Sequence, residues 1–137
     1  MRKARIPAMP VPLEADEQKW LLDWVNMNAA AHPALRLFYH IPNEGKRTYR
    51  AGRELKEQGM RRGVPDNCLP VPRGKYGALY IELKRKKGNK PTDEQLEWIA
   101  DLNAAGNLAV VCYGWEEAAI VIQNYLRKGE PHIDRHR

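Results

Sequence analysis

Apolar positions first recur at helical spacing over residues 14–28, where Glu14, Gln18, Leu21, Val25 and Asn28 share one face with Trp20 and Trp24 alongside. This pattern predicts a helix that Pro33 ends. Residues 35–41 (LRLFYHI) form a short apolar and aromatic run of strand type, stopped by Pro42-Asn43. Residues 43–63 read as a long basic excursion with a helical turn around residues 53–58. Gly63-Val64-Pro65-Asp66 is a turn leading into a short strand over residues 67–71, and Arg73-Gly74-Lys75 makes the next turn. Residues 78–84 (ALYIELK) are the best strand in the chain. Thr92 and Gln95 have capping-box spacing at the start of a second helix, whose apolar face is Trp98, Ile99 and Leu102 and which Gly106 closes. Residues 108–113 (LAVVCY) form a continuous apolar run, the pattern of a strand buried on both faces. A last helix over residues 115–127 turns Ala118, Ala119, Ile122 and Leu126 inward.

The order is therefore helix, strand, strand, strand, helix, strand, helix, which a mixed α/β sheet flanked by helices covers naturally. Residues 1–13, with three prolines and no periodicity, read as an extended or disordered arm, residues 14–128 as one domain and residues 129–137 as a polar tail. A length of 137 residues, with 43% apolar and 29% charged, fits a single domain with a real core. The apolar runs are too short and broken to span a membrane, and the basic N-terminus lacks a signal peptide's apolar stretch. Two isolated cysteines, Cys68 and Cys112, exclude a disulfide scaffold and a CxxC zinc knuckle and suit a reducing cytoplasm. Trp20, Trp24 and Trp98 are expected in the core.

Charge changes the picture more by placement than by amount. Lys and Arg outnumber Asp and Glu by 23 to 17. Residues 44–62 carry Lys46, Arg47, Arg50, Arg53, Lys56, Arg61 and Arg62 against three acids, and residues 73–90 carry Arg73, Lys75, Lys84, Arg85, Lys86, Lys87 and Lys90 against Glu82 alone. Two basic, loop-rich segments suggest a phosphate-rich partner, against the alternative of a solvated basic surface.

The sharpest local feature is Glu82-Leu83-Lys84 within an otherwise apolar strand. Alternation puts Glu82 and Lys84 on one face and Ile81 and Leu83 on the other. A carboxylate and an ammonium there cost free energy unless both find partners. Asp66, at the edge of the preceding strand, is placed to converge with Glu82. A divalent cation relieves the repulsion between two such carboxylates, and hard oxygen ligands select Mg²⁺ or Mn²⁺. Lys84 then orients a water or stabilises charge developing on a phosphate. The plain alternative is a cross-strand salt bridge on an exposed face.

These residues, in this order, resemble the PD-(D/E)XK nuclease superfamily, and within it the stand-alone VRR-NUC branch known from phages and prophages. The match runs through Glu14 with Gln18, His40-Ile41-Pro42-Asn43-Glu44, Gly63-Val64-Pro65-Asp66, Ile81-Glu82-Leu83-Lys84, Gln95 and the apolar strand from Leu108, over residues 14–126. The resemblance implies a restriction-endonuclease-like fold. It implies that Asp66 and Glu82 bind metal together with the Leu83 carbonyl, that Lys84 is the catalytic lysine and that Glu14 on the first helix faces the metal, with Glu17 as its rival. Gln95 matches a glutamine beside such sites, while its capping-box spacing gives it a local task as well. Asn43 is either a turn residue or a DNA contact, and His40 reads as a packed strand histidine. Arg61 and Arg62, before the metal-site turn, are candidates for phosphate contacts, as are Lys46, Arg47, Arg85 and Lys86 in the basic segments.

The expected activity is that of an Mg²⁺-dependent endonuclease, with Mn²⁺ as substitute, cutting DNA without base readout. The resemblance adds branched substrates such as four-way junctions and a homodimer. The rivals are a flap, nicking or restriction-like nuclease, and a DNA-binding protein on a retired nuclease fold. No Gly-rich phosphate loop, GxSxG or His-rich metal set supports a small-molecule enzyme.

Overall fold

A computed structural model of the chain describes residues 9–42 and 49–128. Helix α1 (Glu14–Asn28) opens with Glu14, Asp16 and Glu17 in its first turn, where acids suit the positive end of the helix dipole. It is followed by a 3-10 turn (Pro33–Leu37), strand β1 (Tyr39–His40), helix α2 (Tyr49–Glu57), strands β2 (Asn67–Leu69) and β3 (Leu79–Lys84), helix α3 (Asp93–Ala104), strand β4 (Leu108–Tyr113) and helix α4 (Trp115–Arg127). The sheet order is β1-β2-β3-β4. β1, β2 and β3 form an antiparallel meander, and the α3 crossover returns the chain as β4, parallel to β3.

The core lies on one face of this sheet. Alternate β3 residues Leu79, Ile81 and Leu83 pack with Leu21 and Val25 of α1 and with Ala118, Ile122, Tyr125 and Leu126 of α4. Ala119 is buried too, so the inward face expected for α4 is the one observed. Glu82 and Lys84 fall on the opposite face, toward the first turn of α3.

Five expectations change. The run at residues 35–41 is not one strand: Pro33 starts a 3-10 turn, Leu35 and Phe38 are buried three residues apart, and pairing is confined to Tyr39–His40. β2 stops at Leu69 rather than residue 71, because Pro70 has no N–H to donate to the ladder. β4 is the edge of the sheet among the described residues, so only Ala109 and Cys112 of its run are buried and Leu108, Val110 and Val111 are half-covered. Trp20 is 40% exposed, while Trp24 packs partly buried against the core and Trp98 is half-buried. Part of the basic excursion is helix α2, longer than the single turn expected.

α4 is started by a contact that no local pattern reveals. Glu17 is fully buried, and its Oε2 accepts from the Trp115 N–H at 2.7 Å, placing a carboxylate at the helix N-terminus. Among the described residues no helix is long and apolar enough to cross a membrane.

Candidate active site

The site forms where β2 and β3 separate. Asn67 pairs with Ile81, so Asp66 stands one step beyond the ladder, opposite Glu82. There the backbone groups turn to carboxylates: the Leu83 N–H donates to Asp66 Oδ1 at 3.0 Å, and the Asp66 N–H donates to Glu82 Oε2 at 3.2 Å. Each acid thus grips the backbone beside the other. The first turn of α1 adds Glu14. One carboxylate oxygen each from Glu14, Asp66 and Glu82 lie within 4.8 Å of one another, with Asp66 and Glu82 buried and Glu14 half-buried. Glu17, the rival on the same helix, points instead to the start of α4.

Lys84, only 7% exposed, brings its Nζ to 3.4 Å from Glu82 Oε1. Gln95 meets both of its alternatives. Its Oε1 accepts from the Thr92 N–H and its own N–H donates to Thr92 Oγ1, closing the capping box of α3. That leaves the amide Nε2 fixed, and it donates to Glu82 Oε1 at 2.8 Å. The helix cap therefore aims the amide into the site. Gly63 makes this possible: at φ +89°, a Cβ there would lie 2.6 Å from the Glu94 carbonyl carbon and 2.9 Å from the Gln95 nitrogen. The turn before Asp66 rests directly on the backbone of α3.

The electrostatics are those of buried, crowded acids with too little positive charge beside them. Burial, with Glu14's charge adding to it, lifts the Asp66 carboxyl from 3.8 to about 6, against the Leu83 N–H and His40, which lower it. Glu82 rises from 4.5 to about 7, first through burial and then through Asp66. Lys84 opposes that rise but does not overcome it, so one ammonium is not enough positive charge for this cluster. Three hard oxygen donors short of positive charge are the donor set that Mg²⁺ or Mn²⁺ fits, and the residues present are compatible with such an ion.

The remaining candidates separate. Arg61 and Arg62 are exposed on the loop before the Gly63 turn. Arg85 is half-buried, and its Nη2 donates to the Val11 carbonyl at 2.8 Å, tying down the segment that enters α1. Lys86 pairs with Glu116 at 3.3 Å, at the start of α4. Asn43, Lys46 and Arg47 lie outside the described residues. His40, expected as a packed strand histidine, is half-buried in β1, and its Nδ1 is buried with no hydrogen-bond partner among the described residues. Asn67 escaped the sequence reading. It is fully buried and donates to Asp66 Oδ1 at 3.0 Å. Its one sequence signal is an amide directly after the turn's aspartate, opening an apolar strand.

Comparison with known proteins identifies the family of the chain. The profile of the VRR-NUC domain matches residues 14–116, from the first site glutamate to the start of α4. The chain belongs to the VRR-NUC family. A solved structure described as a VRR_NUC domain protein superposes with a TM-score of 0.77 at 27% identity, over 89% of this chain and 94% of that one. No protein with a curated description matches. The fold is accordingly restriction-endonuclease-like, and this VRR-NUC domain is a nuclease domain of the PD-(D/E)XK type, which implies DNA as substrate.

Proposed function

We propose that this chain is a divalent-metal-dependent endodeoxyribonuclease, selective for branched DNA such as four-way junctions and acting as a homodimer in the cytoplasm. The observation that carries the reading is the convergence of Glu14, Asp66 and Glu82 within 4.8 Å beside a buried Lys84. In this reading Mg²⁺, or Mn²⁺ in its place, is held by the three carboxylates and the Leu83 carbonyl. The ion would supply Lewis acidity toward a scissile phosphate oxygen and toward a water.

The chain's own residues do the rest. Lys84 keeps an ammonium within a buried, low-dielectric pocket, where it is placed to stabilise the charge that grows on the phosphate during attack. Gln95 steadies Glu82 Oε1 through its amide, so that the carboxylate keeps one rotation as the charge around it changes. Arg61 and Arg62 contact the DNA backbone outside the site, with Asn43, Lys46, Arg47, Arg85 and Lys86 as further proposed contacts. Neutralising phosphates in this way makes affinity fall steeply with salt. The sequence has no recognition-helix or zinc-finger pattern for reading bases, which favours selection by DNA shape. Two active sites related by a two-fold axis suit paired cuts in a junction. Both cysteines are buried and unpaired, in keeping with a reducing compartment.

A panel of end-labelled substrates tests the specificity: a four-way junction, a flap, a nicked duplex, a linear duplex and a single strand, each with Mg²⁺, Mn²⁺ or EDTA. Paired metal-dependent cuts in the junction support the proposal. Preference for flaps or linear duplex would keep the chemistry and overturn the substrate.

A further inference from the structure

Asn67 has no exposure at all, and its partner across the sheet is the core residue Ile81. A leucine of similar volume would fill that position without burying an amide. The amide is instead fully engaged. Its Nδ2 donates to Gln18 Oε1 at 2.9 Å and to Asp66 Oδ1 at 3.0 Å, and its Oδ1 accepts from Gln18 Nε2 at 2.8 Å. An ionised Asp66 can only accept, so Asn67 must turn its nitrogen toward the carboxylate. Gln18 must then present its own nitrogen to Asn67 Oδ1. The amide pair therefore has one arrangement, and Asp66 decides it.

The consequence falls on the carboxylate. Asn67 and the Leu83 N–H both donate to Oδ1 of Asp66, each at 3.0 Å, from a side chain and from a strand backbone. Two donors on one oxygen fix the rotation of the group, and with it the oxygen that Asp66 offers beside Glu14 and Glu82. We propose that Asn67, locked by Gln18, is a positioning residue that sets the orientation of Asp66 for cation binding. This rests on the metal-dependent reading above. It also accounts for a part-buried polar pair between α1 and β2 where apolar packing would serve the fold alone.

The test uses the full chain with the double substitution Gln18→Leu/Asn67→Leu, which removes both amides together and leaves neither unpaired. Mn²⁺ binding to the metal-free protein is measured by titration calorimetry, and melting is followed with and without Mn²⁺. The Mg²⁺ midpoint and the saturating rate of DNA cleavage are measured in parallel. The double variant is expected to melt near the wild type, to bind Mn²⁺ about tenfold more weakly or worse, and to regain most of its cleavage rate at saturating metal. If it melts lower, the Mn²⁺-induced shift against its own baseline still reads binding, and a shift as large as the wild type's overturns the proposal. So does a wild-type metal midpoint, which would make the pair a purely structural contact. Wild-type protein that binds no Mn²⁺ and cuts no DNA would overturn the nuclease reading with it, whereas an active wild type with an unaffected double variant removes the positioning role alone.

Discussion

Replacing Asp66 by Asn should stabilise the metal-free protein at alkaline pH while removing its metal-dependent chemistry. Asn keeps an oxygen at the Oδ1 position, so the Leu83 N–H and the Asn67 amide retain their acceptor. It replaces the other oxygen by a neutral donor and removes the charge that Asp66 sets beside Glu14 and Glu82. Two like charges at 4.8 Å, the outer limit of this cluster, repel by about 3 kcal/mol at an effective dielectric constant of about 20. Making both Oδ1 bonds neutral rather than charge-assisted returns roughly 1–2 kcal/mol of that. The net gain is about 1–2 kcal/mol, or roughly 5 °C in melting temperature for a domain of this size.

The pH dependence gives the signature. Asp66 and Glu82 have folded-state values of about 6 and about 7, raised from 3.8 and 4.5, so the folded state holds protons that the unfolded state has already released. Their stabilising effect is complete below about pH 4 and is lost as pH rises through about 6 and 7. Wild-type melting in EDTA should therefore fall between pH 5 and pH 8, and Asp66→Asn should flatten the fall. Mg²⁺ should raise the wild-type melting temperature at pH 8 and leave the variant nearly unmoved. Thermal melts at both pH values, with EDTA or Mg²⁺, measure all of this. A variant less stable than wild type at pH 8 in EDTA, with an unchanged pH slope, would refute the crowded-acid argument.

Three further variants probe the surroundings. Arg61→Ala/Arg62→Ala should weaken DNA binding and reduce the slope of log affinity against log salt by about 2, because about one counterion is released per phosphate contact; an unchanged slope in a filter-binding titration removes both from the interface. Gly63→Ala should cost about 2 kcal/mol or more in denaturant melts, since it combines a positive φ with a 2.6 Å approach to the α3 backbone; a neutral effect would mean that the turn does not bear on α3. Gln95→Glu keeps the oxygen that closes the capping box but sets a carboxylate against Glu82. It should leave melting at pH 5 nearly unchanged and lower the cleavage rate about tenfold or more. Wild-type turnover in that variant would reduce Gln95 to a helix cap.

Much of this was readable from the chain because local signals and chemistry coincide in it. Alternation in β3 separates Glu82 and Lys84 from the core face, and the spacing of Thr92 and Gln95 marks the start of α3. The order of the turn at Asp66 and the strand at Glu82 suggests that their acids meet. What was not readable depends on neighbours far along the chain. Helical periodicity alone leaves Glu14 and Glu17 as rivals; docking of α1 against β3 and α4 sends one to the acid cluster and the other to Trp115. The apolar run in β4 resembles a buried strand, yet its burial depends on whether a further strand covers it. Gln95 was ambiguous because both of its tasks are present, one for each end of the amide. Asn67 carried little signal, since the meaning of an amide inside a strand depends on which helix residue lies above it.

The most direct test of the central claim is cleavage of a labelled four-way junction by wild type and Asp66→Ala over a series of Mg²⁺ concentrations, with an EDTA control and DNA binding measured on the same preparations. Wild-type cutting should saturate with Mg²⁺ and disappear in EDTA, and the variant should bind the junction without cutting it. Cutting that survives EDTA or the loss of the Asp66 carboxylate would contradict the account, as would intact binding by a wild type that never cuts.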